Sequence, residues 1–233
     1  MQKITPEDYQ KFLNQFGDKK SKETVEKLHG HIRECVQDAK DEHIIPRDFT
    51  RKAKLHYTVH AKKNEEKHLH LLDSELLFKI LLSKLNISDL GYHLLLLGLE
   101  TGLRFEELVG LTIEDFDFEN NTINVDKTWG YTNRMAPGHG PTKGNPKRNI
   151  NSDRVIDVSK GLMNIFKELF ENMTENKNKL VFYNAKSKYK VMTNNHANDL
   201  LKEVLLELRI KPLISIHGLR HTHGSVLLHK GAS

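Results

Sequence analysis

Apolar residues recur at intervals of three and four through most of this chain and at intervals of two over only short stretches, a pattern that predicts a mainly α-helical protein with a small sheet. In "ITPEDYQKFLNQF", Thr5 is placed to cap a helix that starts at Pro6, and Tyr9, Phe12, Leu13 and Phe16 fall on one face. That face needs a partner. The next stretch, "SKETVEKLHGHIRECVQDAKDEHII", supplies Val25, Leu28, Ile32, Cys35, Val36 and Ala39 at helical spacing, with Cys35 expected as a core thiol. Pro46 ends this helical module, and the charge-rich run from Lys52 to Lys67 reads as a connection. The domain boundaries expected are a helical domain over 1–62, a linker over 63–72 and a larger domain over 73–233.

The larger domain opens with "LLDSELLFKILLSKL", where Asp73 or Ser74 is positioned to cap a helix, and continues through a buried helix at 89–99. Gly102 in "ETGLR" suits a left-handed helix cap, and "RFEELVGL" restarts a short helix. The period then changes to two. In "TINVDKTWGY", Ile123, Val125 and Lys127 share a side, and "DRVIDVS" at 153–159 forms a second strand. Between the strands lies a basic stretch from Thr132 to Ser152, rich in glycine and proline and expected to be mobile. Helices return at 160–172, 194–208 and from Ile216 to His229.

Composition narrows the function classes. Lysine plus arginine outnumber aspartate plus glutamate 36 to 31, for a net charge of +5, which favours a polyanionic partner. The single cysteine excludes an internal disulfide and any cysteine-based metal cluster. The longest apolar run, "HLLLLGL" at 93–99, is too short to span a bilayer, and no signal-peptide pattern opens the chain, so a soluble protein of the reducing cytoplasm is expected.

Chemistry concentrates in two places. His217 and Arg220 are three apart on the last helix and share a face, while Leu219, Val226 and Leu227 form its expected buried side. A guanidinium suits a phosphate because its planar fork donates two parallel hydrogen bonds and stays charged. Arg104 follows the helix-ending glycine, with Glu107 three positions on to pair with it.

These two segments carry a resemblance. "LETGLRFEELVGLTIEDFD" resembles the first arginine box of the tyrosine recombinase, or phage integrase, family, and "HGLRHTHGSVLLHKGAS" resembles its second, H-x-L-R-H-T. "GPTKG" followed by "SDRVIDVS" is similar to the family's lysine-bearing loop and strand, and the N-terminal helices resemble its core-binding domain. The resemblance implies a small core-binding domain beside an α-rich catalytic domain with a small antiparallel sheet. It implies that Arg104 and Arg220 clamp the scissile DNA phosphate, that His217 assists proton transfer with Glu107 and His221 in support, and that a loop lysine protonates the leaving 5′-oxygen. Neither metal nor other cofactor is implied. The local wording favours Lys143 as that acid and the spacing to Arg154 favours Lys147, so Lys143 is taken first and Lys147 as the alternative. Arg134, Lys147, Arg148 and Arg154 are expected to contact DNA.

Two departures from the family pattern stand out. No tyrosine follows Arg220, although the family's nucleophile lies beyond the second box, and Met1 leads directly into the core-binding helix where such integrases carry an arm-binding domain. Trimming at both ends is the expectation, with a chain that binds duplex DNA without cutting it, monomeric without DNA and tetrameric on it when full-length. Tyr183 and Tyr189 are read as packing or DNA-facing residues. Two rival readings are a zinc site built from His217, His221 and His223, and a non-catalytic DNA-binding regulator that keeps the integrase fold.

Overall fold

The computed structural model describes residues 4–61, 63–129, 142–143, 153–174 and 176–231, with residues 142–143 described by their backbone alone. The expected mobile stretch from 132 to 152 therefore lies, apart from those two residues, outside the described part. The chain divides into two units, Met1–Lys63 and Asn64–Ser233.

In the first unit, α1 (Pro6–Gly17) begins at a reciprocal cap. The Thr5 hydroxyl accepts from the Asp8 backbone N–H, and the Asp8 carboxylate accepts from the Thr5 backbone N–H. Helix α2 (Lys22–Asp41) packs Val25 against Tyr9 and Leu13, with Ile32, Phe49, Leu55 and Tyr57 around them. Cys35 is exposed, contrary to the expectation of a core thiol. It sits about 100° round the helix from Val36, which is buried, and the stripe through Val25, Ile32 and Val36 passes it by.

The run read as a connection is partly structural. Ala53, Leu55 and Tyr57 pack on the first core, and the Gln10 side chain both donates to the Lys54 carbonyl (2.8 Å) and accepts from its N–H (2.8 Å). Their period-two spacing is visible in "KAKLHYTV", but interleaved charges mask it.

The second unit is built round α4 (Gly91–Thr101), which is apolar on all sides and buried from Leu94 to Leu97. Around it pack α3 (Leu71–Ser83), α7 (Asn194–Glu207) and α8 (Ile216–His229). Leu69, within the expected linker, is fully buried in this core, and its N–H donates to the Thr222 hydroxyl (2.9 Å). That anchorage starts α3 at Leu71 with His70 as N-cap, earlier than a cap at Asp73 or Ser74 would allow. Ser74 instead donates to the Leu71 carbonyl from inside the first turn.

The sheet is small. Strands β1 (Phe116–Asp117), β2 (Thr122–Val125) and β5 (Arg154–Asp157) form an antiparallel three-stranded sheet in the order β1-β2-β5, with Ile123 opposite Ile156 and Val125 opposite Arg154. Strands β3 (Lys127–Thr128) and β4 (Thr142–Lys143) form a separate two-stranded ladder. β1 lies in a segment with no strand signal of its own. Phe116 is held there by stacking on Phe166 (5.3 Å between centroids) and by the edge of Phe170 (5.0 Å), both from α6 (Lys160–Asn172). The linking helix α5 (Phe105–Leu108) follows α4 after a three-residue turn.

Candidate active site

That turn, Gly102 to Arg104, is the centre of the site. Gly102 ends α4 in the left-handed region at φ 61°, its N–H donating to the Gly98 carbonyl. The chain then buries Leu103 and makes Arg104 the N-cap of α5. From there the Arg104 backbone N–H donates to Glu107 Oε2 (2.8 Å) and its guanidinium to Glu107 Oε1 (3.1 Å). A second guanidinium reaches the same carboxylate. Arg154, the first residue of β5, donates to Oε1 (3.2 Å) and Oε2 (2.9 Å). Burial pushes the Glu107 carboxyl up, but the hydrogen bonds and charges of Arg154 and Arg104 outweigh it and hold the group below the usual carboxylate range.

Helix α8 approaches from the other side. Its N-cap Ser215 makes no side-chain capping bond, and the cap comes from α7, where Asn198 Oδ1 accepts from the Ile216 N–H (2.8 Å). The Asn198 amide is itself fixed by donating to the Asn194 carbonyl (2.8 Å) and side chain (2.7 Å). His217 follows on the exposed side. Arg220, half-buried, donates to the Gly102 carbonyl at 2.6 Å, two residues before Arg104 in the chain.

Electrostatics mark the spot as cationic. Burial, and then the positive charge of Arg104, lower the proton affinity of Arg220, with Glu107 acting against them. Like charges brought together at partly dried positions favour occupancy by an anion. His217 is held below the ordinary histidine value of 6.5 by burial, then by His221, Arg220 and Arg104. A groove of about 720 Å³ runs beside Arg220, walled by Lys67, Gly102, Arg154, His221 and His223 among others.

The residues singled out in the sequence divide accordingly. Arg104, Glu107 and Arg220 come together through Gly102, with His217 and His221 on the same helix, their rings edge to face at 4.8 Å. Lys143 lies in β4, where its backbone pairs opposite Lys127. Arg134, Lys147 and Arg148 lie outside the described residues. The expected buried side of α8 needs correction. Leu219 is fully buried, but Val226 is only partly so and Leu227 is 43% exposed, because α8 meets the core over its first two turns and then runs past it. Gly218 and Thr222 complete the buried side instead.

The histidines are not arranged as the zinc reading requires. His223 turns Nδ1 to the Leu99 carbonyl (3.2 Å), and among the described residues no group of three or more histidine, cysteine, aspartate or glutamate side chains is placed to hold a metal ion.

Two residues that set α8 in place have little signal in the sequence. Asn198 carries no local signal, since it acts on a helix that begins 18 residues later. Thr222 was visible only as part of a motif.

Burial lowers the proton affinity of His93, His217 and His223 alike. Their folded values lie below the ordinary 6.5, so the stability they contribute is present above that pH and is lost as pH falls through the folded values. Glu100 and Glu106, raised by burial, act in the opposite direction above 4.5. We expect the urea midpoint to fall as pH drops below about 6.5, and His93→Phe, which removes the most buried of the three imidazoles, to flatten that fall. An unchanged slope in the variant would show that His93 is not its source.

Residues 61–233 match the profile of the phage integrase family. Over 97% of its length the chain is 26% identical to the integrase of Staphylococcus phage L54a, of which it spans 68%. Among solved structures, the fold is similar to that of the Tn1549 transposon integrase in complex with a circular intermediate DNA, with a TM-score of 0.75 at 18% identity over 99% of this chain and 74% of that one. It is also similar to the XerH site-specific recombinase bound to its difH substrate, with a TM-score of 0.66 at 16% identity over 99% of this chain and 61% of that one. The family profile runs through both arginine-bearing segments, the same two that the fold joins at Gly102. The chain belongs to the phage integrase family.

Proposed function

We propose that the protein is a site-specific DNA recombinase in which Arg104 and Arg220 hold the non-bridging oxygens of a scissile phosphate. The observation that carries this reading is the Arg220 bond to the Gly102 carbonyl, which brings two guanidinium groups to one turn although they are far apart in sequence. Attack on a phosphodiester builds negative charge on those oxygens, so fixed cations stabilise the transition state more than the ground state. In the reaction a tyrosine oxygen bonds to phosphorus as the bond to the 5′-oxygen breaks, leaving a 3′-phosphotyrosyl link. His217 assists proton transfer, and Lys143, or alternatively Lys147, gives a proton to the departing 5′-oxygen. The partner is duplex DNA, with Arg134, Lys147 and Arg148 on its backbone, and the working assembly of the full-length protein is a tetramer on DNA. Without DNA the 233-residue chain is a monomer. Its setting is the cytoplasm.

None of the six tyrosines follows Arg220 within these 233 residues, so this polypeptide is expected to bind DNA without cutting it. Neutralising roughly six phosphates would give a log–log salt slope of about −5. The test is incubation with a nicked suicide substrate, followed by a search for a protein–DNA adduct on a denaturing gel. We expect none from this polypeptide and an adduct once a tyrosine-bearing segment follows. Salt-sensitive binding with no adduct in either case would favour a non-catalytic DNA-binding protein.

A further inference from the structure

We propose that Arg154 is a positioning residue for the anion site: from β5 it neutralises Glu107, which fixes Arg104 and leaves the Arg104 charge available to a phosphate. This rests on the reading of Arg104 and Arg220 as a phosphate clamp. Glu107 is 4% exposed, and its carboxylate offers about four acceptor positions. All are used. Oε1 takes the guanidinium nitrogens of Arg104 and Arg154, and Oε2 takes the Arg104 backbone N–H and the other Arg154 nitrogen.

The consequence is one of charge. With Arg104 and Glu107 alone, the buried carboxylate would cancel the guanidinium meant for the substrate, and only Arg220 would remain to offset it. With Arg154 on the same carboxylate, three guanidinium groups face Glu107, and these four side chains together carry a net charge of two positive. A phosphodiester carries one negative charge and acquires more as it is attacked, so the surplus matches the transition state. Geometry supports the assignment independently. Arg154 is held in register opposite Val125 at the start of β5, and its two parallel N–H bonds to one carboxylate are the strong, orienting kind. The expectation that Arg154 serves as a DNA contact gives way to a role exerted through Glu107.

The experiment titrates inorganic phosphate into the polypeptide and follows the Nε–Hε resonances of Arg104 and Arg220 by NMR. Thermal unfolding verifies that each variant is folded. Arg154→Gln is expected to weaken phosphate binding about tenfold and to release the Arg104 side chain into rotational averaging. The pair Arg154→Gln with Glu107→Gln removes one positive and one negative charge, and should recover most of the affinity. Arg154→Lys, which keeps a cation on Glu107, should bind within about threefold of the parent and is the variant to read if the glutamine form does not fold. Unchanged phosphate binding in Arg154→Gln, no recovery in the double variant, or a larger loss in Arg154→Lys would each overturn the proposal. The underlying reading fails separately. If Arg104→Gln and Arg220→Gln leave phosphate binding intact, there is no clamp, whereas weakening by those two alone sinks only the role of Arg154.

Discussion

Arg220→Gln is expected to slow strand cleavage roughly 10³-fold in a form of the protein that carries the attacking tyrosine, with little loss of stability. Arg220 is half-buried and makes one backbone bond, to the Gly102 carbonyl. Losing that bond costs about 1 kcal/mol, since water and the glutamine amide can satisfy the carbonyl in part. The charge cannot be replaced so easily. In the proposed reaction glutamine offers a dipole where the transition state presents growing negative charge, and the substitution removes the repulsion between Arg220 and Arg104. Arg220→Lys should fall between, because an ammonium keeps the charge but cannot hold the carbonyl and a phosphate oxygen in one plane. Single-turnover cleavage measured beside thermal unfolding separates the two effects. Cleavage near the parental rate in Arg220→Gln, or a loss that merely tracks unfolding, would remove Arg220 from the reaction.

Gly102→Val should damage fold and site together, lowering stability by about 2–4 kcal/mol. Gly102 has φ 61°, a region in which a β-branched side chain is strained by roughly 1–2 kcal/mol. A Cβ there would also lie 2.8 Å from His223 Cδ2, so the imidazole would have to leave its place against the Leu99 carbonyl. Because the Gly102 carbonyl receives Arg220 and the chain reaches Arg104 two residues later, the same shift would separate the two guanidinium groups. The contributions come apart in a double variant. Gly102→Val combined with His223→Ala, read against His223→Ala alone, should cost less than Gly102→Val in the parent by most of the part due to crowding and by none of the part due to φ. Urea unfolding of the single and double variants measures both, and a neutral Gly102→Val would show that the turn tolerates what its geometry argues against.

Much of the helical framework is legible in the sequence because it depends on local physics. The caps at Thr5 and Gly102 and the apolar spacing of α4, α6 and α7 each follow from a few neighbouring residues. Where reading by pattern falls short, a distant partner decides the matter. Leu69 belongs to the core because Thr222 on α8 takes its N–H. Residues 53–57 belong to the first unit because Gln10 on α1 clasps Lys54. Phe116 becomes a strand residue because the aromatic rings of α6 receive it.

The candidate site divides in the same way. Sequence alone determined which groups this chain offers for the proposed phosphate chemistry: two arginines, each in a segment of family character, an acid three residues after the first, and histidines round the second. Those are matters of residue type and short spacing. Tertiary structure decided how they are used. It set Arg220 on the Gly102 carbonyl, gave Glu107 a second guanidinium partner in Arg154, gave α8 its cap from Asn198, and turned His223 Nδ1 to the Leu99 carbonyl. The physical reason is common to all four. A buried polar group must find a partner, and where the local chain offers none, the partner is whatever packing brings within hydrogen-bond reach.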